Sequence, residues 1–185
     1  MCHASVLEFG PRALAPSHVR GRGVLEVGSL NVNGSLRRHV ESLRPASYLG
    51  VDFRSGRGVD LVADATDPDF PVKVNGPYSV VICTEMLEHV LDWRAAVRNI
   101  KACVRFGGHL LVTTRSLGFH FHEYPGDYWR YELSDMERIF ADFTIDLLEP
   151  DPQAPGVFFY ATALSAPAVD LSGVELYSMQ SGVRC

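Results

Sequence analysis

Three carboxylates stand where short apolar runs end: Glu26 in "VLEVGS", Asp52 in "ASYLGVDF" and Asp64 in "GVDLVAD". A carboxylate in the position of Asp52 can accept both hydroxyl hydrogens of a ribose. At Asp64-Ala65, a side-chain acceptor beside a backbone N–H can read an adenine edge. The loop that follows Glu26, "GSLNVNG", keeps only Gly28 and Gly34, with Ser29, Leu30, Val32 and Asn33 between them. A pyrophosphate needs several backbone N–H groups brought very close, which is why dinucleotide loops are rich in glycine. This loop argues against a pyrophosphate and leaves room for a nucleoside that carries no phosphate. Each acid also has a plainer reading: Glu26 as a cap for the next helix, Asp52 as a turn residue, Asp64 as an N-cap for "ATDPDF". Those readings would all have to coincide along one sheet edge.

A second concentration of chemistry lies in "RSLGFHFHEYPGDYWRYELSD", which holds His120, His122, Glu123, Tyr124, Asp127, Tyr128, Trp129, Arg130 and Tyr131. His122 or His120 could act as a general base on a hydroxyl or amine. Tyr124, Asp127, Tyr128 and Trp129 could shape an acceptor pocket in which positioning does most of the work. His120-x-His122 with Glu123 could bind a metal, but the short spacing and the lack of a supporting pair count against it, and no metal site is assigned. The same stretch also reads as a packed cover in which Trp129 is core and Asp127 pairs with Arg130. In "CTEMLEHV", Cys83 reads as a small buried hydrophobe, and Glu88 and His89 read either as structural partners or as catalytic groups.

The elements that must position these residues alternate strand and helix. "GVLEVG" is followed by a helix through "NGSLRRHVESL", with Leu36, Val40 and Leu43 on one face. "ASYLGVDF", "GVDLVAD" and the continuously apolar "PYSVVICTE" are further strands. Asp92 is the expected N-cap of a helix striped by Trp93, Ala96, Val97, Ile100 and Val104, which Gly107-Gly108 should end. "HLLVTT" is the fifth strand. Ser134 and Glu137 suggest a capping box for "SDMERIF", and "FTIDLLE" with "GVFFYATAL" reads as a hairpin. This order predicts an α/β, doubly wound, mainly parallel seven-stranded sheet closed by a C-terminal antiparallel hairpin. In such sheets ligands sit beyond the carboxyl ends of the strands, where strand order reverses.

The 185 residues suit one domain (1–185, with a core of about 22–164), and the segment 165–185 shows too little pattern to assign. A net charge of −5 offers no sign of a long nucleic-acid groove. Glu8, Gly10, Pro11 and Arg12 interrupt the opening segment, so a signal peptide is not expected, and no run reaches membrane-spanning length. Four scattered cysteines without a C-x-x-C pair then read as reduced thiols in the cytoplasm.

With these residues in order, the chain resembles the class I S-adenosylmethionine-dependent methyltransferases, of the small bacterial and archaeal kind similar to methyltransferase type 11. The resemblance rests on "VLEVGS", "GVD" with Asp52, "ADA" with Asp64, "CTEMLEHV" and the terminal hairpin. One departure is plain: the family's E-x-G-x-G-x-G has become Glu26-Val27-Gly28-Ser29-Leu30-Asn31-Val32. The resemblance implies that Glu26, Val27, Gly28 and Ser29 flank the methionyl part of S-adenosyl-L-methionine. It implies that Asp52 holds the ribose, with Phe53 beside the adenine, and that Asp64 and Ala65 recognise the adenine amino group. Cys83, Thr84 and Glu85 would line the cofactor near its sulfonium. Glu85, in the catalytic set with His120 and His122, would orient the cofactor more than speed the loss of neutral sulfur. The opening "MCHASVLEF" could fold over the same edge and bring Cys2 and His3 near the acceptor. A small-molecule acceptor is expected, without nucleic acid or membrane, and the oligomeric state is not legible. Two rivals are a catalytically silent S-adenosylmethionine-binding partner of another enzyme and a nicotinamide oxidoreductase, the latter disfavoured by the missing glycines.

Overall fold

Strands whose neighbours in sequence alternate between two apolar clusters must be covered on both faces, and that is how the chain folds. The computed structural model describes residues 4–122, 126–164 and 169–185. In chain order these form α1 (Ala4–Ala13), α2 (Pro16–Val19), β1 (Gly23–Val27), α3 (Arg37–Ser42), β2 (Ser47–Asp52), β3 (Leu61–Val62), α4 (Phe70–Lys73) and β4 (Tyr78–Thr84). A 3₁₀ turn (Leu87–His89) leads to α5 (Trp93–Ala102), β5 (Val104–Arg115), β6 (Trp129–Arg130), α6 (Leu133–Ile139), β7 (Phe143–Pro150), β8 (Gly156–Ala163) and β9 (Tyr177–Ser178).

Seven strands form one sheet in the order β3-β2-β1-β4-β5-β8-β7. The first five pair in parallel, and β8 runs antiparallel between β5 and β7. The doubly wound fold with its closing hairpin is therefore as the sequence predicts. Along β4, Val80 and Ile82 join the face covered by α1, α2 and α3, while Val81 and Cys83 join the face covered by α4, α5 and α6. Trp93, Ala96, Val97 and Ile100 of α5 are buried, each large apolar side chain contributing about 1.5–3 kcal/mol. The Asp92 carboxylate accepts from Ala95 N at 3.0 Å and caps that helix as expected.

Several boundaries differ from expectation for local reasons. Gly107-Gly108 does not end α5. The helix stops at Ala102, and both glycines lie inside β5, where the pairing with β4 shifts register between Tyr78 and Val80. A Cβ on Gly108 would meet Arg105 O at 2.8 Å, so the bulge demands glycine there. The capping box of α6 uses Glu132 and Asp135 rather than Ser134 and Glu137. α3 starts only at Arg37, because Asn31 Oδ1 accepts from Gly34 N and Ser35 Oγ accepts from Arg37 N, holding residues 31–36 in turns.

The unassigned tail is packed. Leu171, Val174 and Leu176 are buried with the core of the α5 face. Arg94 donates to Leu171 O and Val174 O, β9 pairs with β6, and Met179 N donates to Tyr128 O at 2.8 Å. The lead-in is helical, but α1 packs on the β5 and β8 face and none of its residues lines the cavity described below. Cys2 and His3 lie outside the described residues.

Candidate active site

The sheet order reverses between β1 and β4, and a cavity of about 620 Å³ opens beyond their carboxyl ends. Around it stand Glu26, Val27, Gly28, Ser29, Asp52, Phe53, Asp64, Ala65, Thr84 and Glu85, all singled out from the sequence. Cys83 is the exception. It is fully buried in the core of the α5 face and does not line the cavity, because alternation along β4 turns its side chain inward.

Glu26 is buried at the end of β1. Tyr48 Oη donates to its Oε2 at 2.7 Å, and Ser35 Oγ donates to Oε1 at 3.4 Å. Burial pushes its carboxyl up from about 4.5 to about 7, against the pull of those two hydroxyls. The chain then turns at Gly28, whose φ of +82° and closeness to Met86 (2.7 Å from a built Cβ) leave no room for a side chain.

Asp52 ties two loops together. Leu30 N donates to its Oδ2 at 3.2 Å and Arg54 N to its Oδ1 at 3.1 Å. Each carboxylate oxygen retains acceptor capacity beyond these single bonds. Asp64 accepts from Thr66 N and Thr66 Oγ1, both at 2.8 Å and both on Oδ1, so Oδ2 takes part in neither. Val32, Phe53 and Leu91 are exposed apolar side chains, and all three line the cavity.

Glu85 sits in the left-handed region, φ +53°, which re-aims the chain at the end of β4. Its carboxylate does not stand free to face an acceptor. Oε1 accepts from Thr113 Oγ1 at 2.8 Å, and Oε2 is clasped by Nε and Nη2 of the buried Arg115, which also reaches Asp151 at 3.1 Å. Burial and the neighbouring Glu88 push the Glu85 carboxyl up, while Arg115 and Thr113 oppose them. Glu85 thus lines the cavity with its carboxylate already engaged by Thr113 and Arg115.

The 115–135 segment divides between cover and site. Asp127 and Arg130 are buried and ion-paired, and Trp129 Nε1 donates to Val90 O and Leu91 O at 3.0 and 3.1 Å. These are the packed-cover contacts, so Asp127 and Trp129 do not reach the cavity, whereas Tyr128 lines it. Tyr124 and Glu123 lie outside the described residues. His120 is exposed and stacks on Phe119, with ring centroids 4.4 Å apart, away from the cavity.

His122 points instead toward His89, a cavity residue of the "EMLEHV" segment, with the two Nε2 atoms 3.2 Å apart. His89 Nδ1 bonds to Gly126 O. His122 N donates to Asp127 Oδ2 at 2.9 Å, and Nδ1 of the same residue lies 2.9 Å from that oxygen without making a hydrogen bond to it. Burial lowers the pKa of His122, and Asp127 opposes it. Glu88 completes the group: its Oε2 accepts from Thr114 Oγ1 at 2.9 Å, and the carboxylate is 1% exposed. Of the two readings offered for His89, its place at the cavity fits the functional one, whereas Met86 carried no signal in the sequence and reaches the cavity through the turn at Leu87–His89.

The geometry agrees with what comparison with known proteins finds. Residues 3–146 match the family model described as a methyltransferase domain, Methyltransf_23. A ubiquinone biosynthesis O-methyltransferase from Marinobacter nauticus is 32% identical over 113 residues, covering 61% of this chain and 41% of that protein. The chain spans less than half the length of such curated relatives. An S-adenosylmethionine-dependent methyltransferase from Mesorhizobium loti superposes with a TM-score of 0.60 at 14% identity, over 86% of this chain and 98% of that one. The 1,6-didemethyltoxoflavin-N1-methyltransferase of Burkholderia thailandensis, solved with S-adenosylhomocysteine, gives 0.61 at 15% identity, over 88% and 79%. Among the described residues no helix is long and apolar enough to cross a membrane. With the family model covering most of its length and the sheet order in place, the chain belongs to the class I S-adenosylmethionine-dependent methyltransferases.

Proposed function

We propose that this chain transfers a methyl group from S-adenosyl-L-methionine to an oxygen of a small-molecule acceptor, rather than to a nucleic acid. The observation that carries the reading is a single cavity with Glu26, Asp52 and Asp64 along the strand tips and His89 and Tyr128 opposite. The residues present fit the cofactor. Asp52 keeps acceptor capacity for a ribose, Asp64 Oδ2 and the Ala65 N–H suit an adenine edge, and Phe53 offers an apolar face beside it. The loop around Gly28 approaches closely without the row of glycines a pyrophosphate needs. Glu26, when ionised, faces the cationic methionyl end.

When bound, the cofactor supplies an activated methyl on a sulfonium. The protein holds the acceptor in line and handles its proton. Orientation alone can supply a large share of the barrier reduction. His89 stands at the cavity wall, with His122 behind it and the buried Asp127 beyond, so a proton leaving an acceptor hydroxyl has an imidazole at the wall to receive it. An O-methyltransferase among the relatives agrees with an oxygen acceptor.

The test is calorimetric titration with S-adenosyl-L-methionine, followed by transfer assays on hydroxyl, amine and thiol acceptors. Methylation of hydroxyls but not of amines or thiols is expected. No cofactor binding refutes the reading. Binding without turnover on any acceptor identifies the catalytically silent alternative.

A further inference from the structure

We propose that Asn99 of α5 sets the purine selectivity of the cofactor site, by clamping the 64–67 turn whose Asp64 and Ala65 meet the adenine edge. Asn99 is a positioning residue, since it does not itself line the cavity. That role rests on the reading of Asp64 and Ala65 as the adenine contacts.

The turn needs an anchor because the sheet supplies little. β3 has two residues at the end of the strand order and pairs with β2 only at Leu61 and Val62. Ala63 N still reaches Asp52 O at 3.0 Å, and the chain then leaves the ladder. Inside the turn, Asp67 N donates to Asp64 O at 3.1 Å, and Thr66 N and Oγ1 both donate to Asp64 Oδ1. Those bonds run between residues 64 and 67, so they shape the turn without fixing where it stands.

Asn99 supplies the external tie. Its Nδ2 donates to Ala65 O and to Asp67 O, each at 2.8 Å, across 34 and 32 residues of chain. A carbonyl oxygen can only accept, so the amide presents its NH2, whose two hydrogens match the two carbonyls. The base is firm, because Trp93, Ala96, Val97 and Ile100 bury α5 in the core. The peptide unit between Ala65 and Thr66 is rigid and is held at both ends, its oxygen by Asn99 and its N–H by Asp64 Oδ1. Through that one plane Asn99 governs where Asp64 Oδ2 points.

Selectivity follows from the pattern those groups offer. Adenine presents a donating amino group beside an accepting ring nitrogen, which Asp64 Oδ2 and the Ala65 N–H complement. Hypoxanthine presents a carbonyl and an N–H in the same places, so both contacts reverse. A site rejects such an analogue only while its own donor and acceptor are held in place by a supporting layer.

Calorimetry with S-adenosylhomocysteine and S-inosylhomocysteine reads the preference directly. Wild type should favour the adenosyl compound. Asn99→Leu, which removes the donors, and Asn99→Asp, which sets a carboxylate against two carbonyls, should each narrow the ratio of affinities by roughly 10-fold or more. Asp64→Ala should narrow it likewise, and Arg98→Ala, on the exposed side of α5, should leave it unchanged. A role confined to folding would weaken both ligands alike and keep the ratio. A wild-type ratio in both Asn99 variants, with Asp64→Ala still narrowing it, overturns the proposal alone. No preference in wild type refutes the adenine reading, and the proposal falls with it.

Discussion

Leu30 N and Oδ2 of Asp52 meet at 3.2 Å, so the loop after β1 is tied to the end of β2 by the carboxylate read as the ribose acceptor. Asp52→Ala should therefore weaken S-adenosyl-L-methionine binding by about 1–3 kcal/mol, through the lost acceptor and the loosened loop together. Calorimetry reads the change directly, and an affinity equal to wild type removes Asp52 from the site.

Glu26 makes both stability and affinity depend on pH. Its folded-state carboxyl titrates near 7 against about 4.5 when free, so between those values the folded chain binds more protons than the unfolded one. Its contribution is full below about 4.5 and is lost as pH rises through about 7. Thermal melts of Glu26→Gln against wild type should show this slope flattened in the variant. Affinity for the cationic cofactor should run the other way, rising in wild type from pH 6 to 8 and staying flat in the variant.

The Asp127–Arg130 pair lies under the cover, both side chains at most 1% exposed. Burial works against ionisation of Asp127, but Arg130 and the His122 N–H outweigh it and hold the carboxyl below its ordinary range. Arg130→Met strands that charge and should cost about 3–5 kcal/mol in urea denaturation. A loss under 1 kcal/mol would mean that water reaches the pair.

Removing the imidazole in His122→Ala should lower turnover by roughly 10²-fold or more if that ring helps to move the acceptor's proton. Cofactor affinity should stay nearly intact, since the ring is not among the cavity-lining groups. Unchanged turnover would take His122 out of the reaction.

Gly28→Ala meets two obstacles, a φ of +82° and the side chain of Met86. The left-handed conformation alone costs roughly 1–2 kcal/mol for an alanine. Reduced cofactor affinity with a modest drop in melting temperature is expected, and calorimetry with a melt would check both.

The sheet was legible because its strands carry their burial in their residues: the continuous apolar run in β4 marks a strand covered on both faces. The strand-tip acids were legible for a related reason, since a carboxylate that ends an apolar run must lie at the edge of the sheet. What failed to show was set by long-range contact. Glu85 looks like a free acid until Arg115, thirty residues on, closes over it. His89 and His122 share no sequence motif and meet only because the chain after β5 folds back over the Leu87–His89 turn. The pairing of Asp127 with Arg130 was among the sequence alternatives, but only packing decided between cover and pocket. β9 was unreadable because a two-residue strand has no periodicity.

That short strand has a practical consequence. Through Met179 N and the β6 partner, the carboxyl-terminal stretch buckles the segment bearing Tyr128 against the rest of the molecule. Trimming the chain ahead of Leu176, or hanging a bulky fusion close behind Cys185, would slacken that fastening and let the far wall of the pocket breathe. Affinity tags belong at the opposite terminus.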